Sequence, residues 1–515
     1  MKGKREVIMF SLKRNFKTLL LLILFLAANL LVYTNKMPLY HEEPRRTIIA
    51  NEMLLRGSYI VPTVCYETYF KKPPLQNWII LFLGKITGKI TNFDARLPSV
   101  LSFLLTGFFL FFLFDDRKQG FIASLIFLTS YVTLISYANK AEPDILFTSL
   151  IFLSYYFWQK SKSLSFFIIS SIFMGLAMLT KGISPIFFYP GLVLFYAFKR
   201  DNFSKNFLKL VFHFVLSLIF PILWLFLFAE KANLNSLLLV FSNEVSSRMV
   251  GSFSFVVLHL ITFPLRAFLA LFPWSIVFIF IFDKKLTKEL KENELFMTSF
   301  LIFITSFLIM TVFPGGKGRY FMPAAPFFAI TLSFLCPKGY LLKDSIKWFS
   351  ILFLSAIYFI FSFYVIKHGF VFQGIVLIIL GVLLLLFLRF KYYVFDFLVV
   401  FSMFLFLFYI HGLYLYRANT KKNYKQIAYR IYTLFPDKRL PVVVDNTLKP
   451  EFVSLALNLE RITGEFVYSE NVIKPNDFYL ITSKDKVCKC CKKIFLCNCS
   501  SNVPTLYVYH CKKRE

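Results

Sequence analysis

Acidic residues are scarce in this 515-residue chain: 28 Asp and Glu stand against 58 Lys and Arg, and charged residues together make up only 17%. A soluble globular chain is typically about a quarter charged and less than half apolar. Here 57% of residues are hydrophobic and Phe alone occurs 69 times. No water-soluble fold hides that much aromatic surface, which excludes a soluble enzyme, a fibrous protein and a disordered one. The phosphate loop of nucleotide hydrolases, the dinucleotide-binding glycine fingerprint and the serine nucleophile elbow are also missing, so nothing points to those chemistries. What is there is a polytopic membrane protein.

The formal charge of +30 (58 − 28) would suggest nucleic acid for a soluble protein. In a membrane protein, basic loops that set orientation and meet anionic headgroups account for it, and no nucleic-acid partner is expected. Lys2, Lys4, Arg5, Lys13 and Arg14 lead into an apolar run from Thr18 to Tyr33 with no small-residue cleavage site after it, read as a retained first span.

A bilayer-crossing helix needs about 20 mostly apolar residues. About thirteen candidates lie near 17–34, 95–114, 120–138, 144–159, 164–180, 183–198, 207–229, 258–282, 295–313, 319–336, 346–366, 370–388 and 393–416. Leu75 to Leu83 is too short to cross and is placed flat on the surface. With the N-terminus in the cytoplasm, every inside loop is then basic (Arg117 and Lys118; Lys160 and Lys162; Lys199, Arg200, Lys205 and Lys209, and onward). A crossing at Leu75–Leu83 would invert that bias. The expected fold is therefore an all-α polytopic membrane domain over 1–416, with an extracytoplasmic catalytic loop at 35–94, and a small Cys-rich extracytoplasmic α/β domain over 417–515.

Four outer segments carry charges that orientation does not require. They are 35–94 (Glu42, Glu43, Arg45, Arg46, Arg56, Lys71, Lys72), 141–144 (Glu142, Asp144), the stretch with Asn243, Glu244 and Arg248, and 314–320 (Lys317, Arg319, Tyr320). Charges at helix mouths are functional candidates by default; headgroup anchoring is the bland alternative. Adjacent Glu42 and Glu43 on a helical turn point about 100° apart, which suggests divided roles, or else an acidic turn stabilised by Arg45 and Arg46. A helix from Thr47 to Leu55 should stop at Gly57. Pro73-Pro74 should start the surface helix. Lys71 and Lys72 then sit beside unpaired backbone N–H groups, a place for an anion such as phosphate. Lys181, at a helix end, can reach the interface by its stem. Trp78, Trp158, Trp274 and Trp348 read as interfacial anchors, and no role is assigned to His213, His368 or His411.

These motifs, in order, resemble the C-type glycosyltransferase superfamily, and most of all the lipid A aminoarabinose transferases and related polyprenyl-phosphate-sugar-dependent enzymes. The matching series is Glu42-Glu43-Pro44-Arg45, Glu52-Met53, Gly57, Tyr69-Phe70-Lys71-Lys72-Pro73, Ala95-Arg96-Leu97-Pro98-Ser99, Leu179-Thr180-Lys181-Gly182, Glu244 with Arg248, Phe272-Pro273-Trp274, and Lys317, Arg319, Tyr320, Pro323 and Pro326, covering roughly residues 17–335. Two departures stand out: Glu42 replaces the family's usual Asp, and Lys71 replaces the acid often found before Lys-Pro, with no His at the position that accompanies it in metal-bearing relatives.

The resemblance implies transfer of a sugar from a polyprenyl-phosphate donor to lipid A or another envelope acceptor. The protein would sit in the cell inner membrane, with its active site and C-terminus on the periplasmic side. By the same resemblance Glu42 and Asp144, with Glu43, are the catalytic candidates. Lys72, Lys71, Arg45, Lys317 and Arg319 are candidates for the donor phosphate. Tyr69, Tyr320, Glu142, Glu244 and Arg248 are candidates for substrate contact. A polyprenyl monophosphate leaves with modest charge that cations can stabilise, so no cofactor is expected and a divalent metal is not indicated. A protein O-glycosyltransferase of the same superfamily and a flippase for lipid-linked sugars are the alternatives.

After Arg417 apolar runs shorten to strand length (Leu440–Val444, Asp477–Ile481, Thr505–Tyr509), and Tyr424–Phe435 reads as a helix. Cys488, Cys490, Cys491, Cys497, Cys499 and Cys511 are preferred as disulfides, with 15 possible pairings, over a metal knuckle. Cys65 and Cys336 read as packed, inert thiols.

Overall fold

The computed structural model describes the chain outside residues 1, 33, 36, 70, 162, 201, 234, 236–252, 283–289, 314–317, 336–343, 368, 391–393, 415–423, 446–449, 472–475, 484–490, 498–505 and 513–515. In chain order it runs α1 (Lys2–Val32), α2 (Glu43–Arg56), β1 (Thr63–Val64), β2 (Glu67–Thr68), α3 (Leu75–Thr87), α4 (Asn92–Leu113), α5 (Arg117–Thr129), α6 (Pro143–Gln159) and α7 (Leu164–Lys181). Then follow α8 (Tyr189–Lys199), α9 (Phe203–Ser217), α10 (Ile219–Lys231), α11 (Phe253–Ala270), α12 (Glu294–Val312), α13 (Ala325–Leu335), α14 (Asp344–Lys367), α15 (Val371–Leu386) and α16 (Val394–Phe408). The tail adds α17 (Tyr424–Thr433), β3 (Val442–Val444), α18 (Pro450–Thr463), β4 (Val467–Ser469), β5 (Asp477–Thr482), β6 (Cys491–Cys497) and β7 (Leu506–Lys512).

This is a multi-pass membrane protein. Among the described residues seven helices are long and apolar enough to cross a bilayer, or eight if α5 and the bent π-helical turn Tyr131–Tyr137 form one span. Two of the about thirteen apolar runs read from the sequence are broken in the structure, each for a local reason. The stretch at 183–198 is a 3₁₀ turn (Ser184–Phe188) followed by the eleven-residue α8. That at 319–336 is a 3₁₀ turn (Gly318–Ala324) followed by α13. Pro185, Pro190, Pro323 and Pro326 lie at these breaks, because proline removes a helical donor and crowds the preceding turn.

The chain forms two compact units. The first comprises Met1–Val32, Ser99–Leu223 and Phe241–Tyr414; the second comprises Tyr33–Pro98, Trp224–Val240 and Leu415–Glu515. In the first unit α6 is buried along most of its length. Gly191 lets α8 approach α12: a Cβ there would lie 2.4 Å from the Ile302 backbone. Several buried hydroxyls are paired, as a dry core favours: Tyr155 with Thr298 at 2.8 Å, and Ser170 and Tyr189 with His213, both at 2.8 Å. Trp158 and Trp274 are buried rather than interfacial. Trp274 donates to Thr129 at 2.9 Å, so its indole N–H is satisfied inside the protein.

The second unit draws residues 33–98 together with the tail. Residues 33–98 share one apolar core with the tail: Ile48, Ile49 and Met53 of α2 and Ile80 of α3 belong to the same cluster as Ile427, Val444, Phe452, Leu459 and Ile481. The α/β character of the tail is present as a five-stranded sheet in the order β4-β3-β5-β7-β6. β3 is parallel to β4 and β5, while β7 is antiparallel to β5 and β6. α18 crosses between the parallel strands β3 and β4, and α18, β4 and β6 were not anticipated from the sequence. Among the described residues a disulfide, Cys491–Cys511, joins β6 to β7. Cys65 is a buried free thiol, pushed up well above the usual range by burial and nearby carboxylates. Cys336, Cys488, Cys490, Cys499 and His368 lie outside the described residues.

Candidate active site

In the second unit, the chain turns through left-handed His41 (φ 56°) into α2. Glu42 takes the N-cap position, Glu43 the first turn, and Gly57 (φ 65°) closes the helix by donating to Met53 O. The two carboxylates part company. Glu43 is buried and accepts from Arg96 Nε at 2.8 Å and Nη2 at 2.9 Å, and from the Tyr40 backbone N–H at 2.9 Å. Glu42, 31% exposed, accepts from Arg45 Nη1 at 3.0 and 2.7 Å. Burial favours the neutral form of Glu42, but Arg45, Arg46 and Lys72 outweigh it and hold the carboxyl below its usual range.

Arg46 is the residue of this cluster that the sequence left in the background. It is buried, donates to Tyr69 Oη at 2.8 Å and stands 3.8 Å from Glu42. Its backbone carbonyl accepts from Asn77 Nδ2 at 2.7 Å, tying α2 to α3. α3 starts after Pro74 and, at 13 residues, is too short to cross the bilayer. Lys71 is exposed and Lys72 half-buried just ahead of it. Glu42, Arg45, Arg46, Tyr69 and Lys72 thus form one cluster at the ends of two helices.

The first unit holds a second cluster. Asp144 sits in the first turn of α6, where the helix dipole favours a carboxylate. Lys181, in the last turn of α7, donates to it at 2.5 Å and lies over the Phe147 and Tyr320 rings at 5.0 and 5.7 Å. Lys181 therefore pairs with Asp144 instead of reaching for the interface. Glu142 accepts from Arg319 Nη1 at 2.8 Å, and Arg319 lies 5.6 Å from the Tyr320 ring centre. Lys317, Glu244 and Arg248 lie outside the described residues. Among the described residues no group of three His, Cys, Asp or Glu side chains is arranged to hold a metal ion.

With this geometry in place the relatives can be compared. Residues 71–225 match the family model of dolichyl-phosphate-mannose-protein mannosyltransferases. An uncharacterised protein of Aquifex aeolicus is 27% identical over 403 residues, 76% of this chain and 77% of its own. The undecaprenyl phosphate-alpha-4-amino-4-deoxy-L-arabinose arabinosyl transferase of Shewanella sediminis is 31% identical over 150 residues, and the second such enzyme of Proteus mirabilis is 30% identical over 175. The matched stretches span 27% and 31% of those two transferases. Over nearly the whole chain, the structure superposes on ArnT from Cupriavidus metallidurans bound to undecaprenyl phosphate, with a TM-score of 0.72, 15% identity and coverage of 95% of this chain and 97% of that one. The protein has a C-type glycosyltransferase fold.

Proposed function

We propose that the protein is an integral-membrane glycosyltransferase that moves a sugar from a polyprenyl-phosphate donor to a lipid acceptor of the lipid A class, on the periplasmic face of the inner membrane. The observation that carries this reading is the cluster of Glu42 with Arg45, Arg46 and Lys72, a carboxylate set among three cations at the ends of α2 and α3. The basic inside loops support the orientation. Structural and sequence similarity to proteins named for undecaprenyl phosphate supports the donor class.

In the reaction, the bond between the anomeric carbon and the phosphate oxygen breaks, and a bond forms from an acceptor oxygen to that carbon. The phosphate departs as a polyprenyl monoester with one more negative charge, which Lys72 and Arg45 stabilise. A hydroxyl acceptor gives its proton to Glu42. A phosphate acceptor is already ionised and needs no base, and Glu42 then orients the sugar. Tyr69 is assigned to contact with the sugar and Lys71 to the donor phosphate.

Purified protein with labelled polyprenyl-phosphate sugar tests the assignment. Glu42→Gln and Lys72→Ala should each lower transfer about 100-fold or more with an unchanged thermal midpoint; full activity in both removes it. The family model's protein mannosyltransferases favour one competing acceptor, a protein hydroxyl. Mass spectrometry of envelope lipids from a deletion strain and its parent separates the two: a lost lipid modification supports the lipid acceptor, and unchanged lipids with a lost protein glycan support the other.

A further inference from the structure

Arg46 meets the segment from Tyr69 to Asn77 at both of its ends. Its Nη2 donates to Tyr69 Oη at 2.8 Å, with the guanidinium carbon 5.2 Å from that ring's centre, and its backbone carbonyl accepts from Asn77 Nδ2 at 2.7 Å. Lys71, Lys72, Pro73 and Pro74 lie between those contacts. The stretch that brings the lysines to the start of α3 is thus tied twice to one residue in the first turn of α2. Proline has a fixed φ and no N–H, so the segment is stiff at 73 and 74 but has no main-chain donor there, and side chains supply the attachment. The Tyr69 N–H is itself held, donating to Pro62 O at 2.8 Å, so the Arg46 bond joins the whole β1–β2 turn to α2.

Arg46 is poorly placed for the simpler role of neutralising Glu42. Arg45 already donates to both Glu42 oxygens, at 3.0 and 2.7 Å, whereas Arg46 Nη2 stands 3.8 Å away. Arg46 Nε is buried and has no hydrogen-bond partner among the described residues. A guanidinium kept for charge alone would turn its fork to the carboxylate. Arg46, its side chain 4% exposed, and Asn77, 2% exposed, are instead committed to joining two helix starts.

We propose that Arg46 is a positioning residue that clamps the lysine segment onto α2 and so fixes the separation of Glu42 from Lys72. Glu42 is the N-cap of α2, and Lys72 lies just ahead of Pro74, the N-cap of α3, so their separation is set by how the two helix starts are joined. This rests on the polyprenyl-phosphate reading above, in which the acid and the cation act on one breaking bond. A group misplaced by about 1 Å can cost about 100-fold in rate, and contacts behind a site hold it to that tolerance. Tyr69 Oη and Asn77 Nδ2 are the two jaws of the clamp, each acting through Arg46.

Transfer by the purified full-length protein is measured with labelled polyprenyl-phosphate sugar, and Kd with undecaprenyl phosphate alone. Both are read well below each variant's thermal midpoint, so unfolding does not enter. Tyr69→Phe opens one jaw while keeping the ring, and Asn77→Leu opens the other. Each should lower kcat about tenfold, while Kd for undecaprenyl phosphate moves less than about threefold because every cation is retained. Both jaws hold one segment, so the double variant should fall no more than about threefold below the weaker single; independent contacts would multiply to about 100-fold. Arg46→Lys keeps the charge but loses the planar fork, and its kcat should fall as in Tyr69→Phe. Multiplied losses in the double variant, unchanged kcat in either single, or full activity in Arg46→Lys would each overturn the clamp. A wild type that neither binds undecaprenyl phosphate nor transfers the sugar removes the donor reading itself, whereas an active wild type with multiplied losses removes the clamp alone.

Discussion

Arg96 donates from every nitrogen of its guanidinium: Nε and Nη2 to Glu43, Nη1 to the carbonyls of Thr34 and Met37, and Nη2 to that of Pro38. Its side chain and that of Glu43 are 2% and 3% exposed. One residue at the start of α4 therefore fixes both the approach to α2 and the carboxylate next to Glu42. Arg96→Met should leave Glu43 as a buried, unpaired charge, which costs about 3–5 kcal/mol when one partner of a buried pair is removed. The thermal midpoint should fall sharply, and adding Glu43→Gln should restore part of it. An unchanged midpoint in Arg96→Met would show that the pair carries no structural weight. Glu42 was legible as a charge that orientation does not require, and Lys72 also because Pro73-Pro74 beside it marks a helix start. Arg96 and Lys181 were visible only as motif members, since their partners lie 53 and 37 residues away in the chain.

Between elements, α2 and α18 meet through buried carboxylates. Glu52 accepts from the hydroxyl of Thr63 and the backbone N–H groups of Cys65 (2.5 Å) and Tyr66 (3.2 Å). It thereby holds the β1–β2 turn, where Cys65 and Tyr66 both adopt positive φ (52° and 64°), a conformation costly for residues with a Cβ. Glu460 of α18 accepts from Asn51 Nδ2 at 2.9 Å and Val467 N–H at 3.4 Å. Burial pushes both carboxyls up, Glu52 to about 7, and the charge of Glu52 raises Glu460 further, against the weaker pull of Arg56 and Arg461. The folded state thus holds protons that the unfolded chain has released. The associated stability is present below the ordinary carboxylate range and is lost as pH rises through neutrality. The second unit should resist limited proteolysis better at pH 5 than at pH 8. Glu460→Gln should flatten that dependence and raise protection at pH 8; an unaltered pH profile in the variant would show that the pair does not titrate with folding.

For the whole molecule, the loop charges predict an orientation that a reporter can test. A reporter fused after Glu515 should read the periplasmic side, and one in the Arg117–Lys118 turn the cytoplasmic side; a cytoplasmic signal from the tail would mean that α3 crosses the membrane after all. α17 gives no hint that it shares a core with residues 33–98, because Tyr424, Ile427 and Ile431 show one amphipathic face that any neighbour could cover. The same limit applies to the number of spans. Apolar length is additive along the chain, but whether a run such as 183–198 forms one helix or a turn and a short helix depends on where prolines fall against their neighbours.

The sequence by itself determined the membrane class, the stop of α2 at Gly57 and the start of α3 after Pro74. These follow from composition and from backbone chemistry within a few residues, where Pro and Gly act locally. Tertiary structure alone decided which cation neutralises which acid: Glu43 with Arg96, Asp144 with Lys181 and Glu142 with Arg319. It also decided that the loop after the first span and the Cys-rich tail make one core. Ion pairing and apolar burial depend on distance in space, and both bring together residues whose separation along the chain carries no such information.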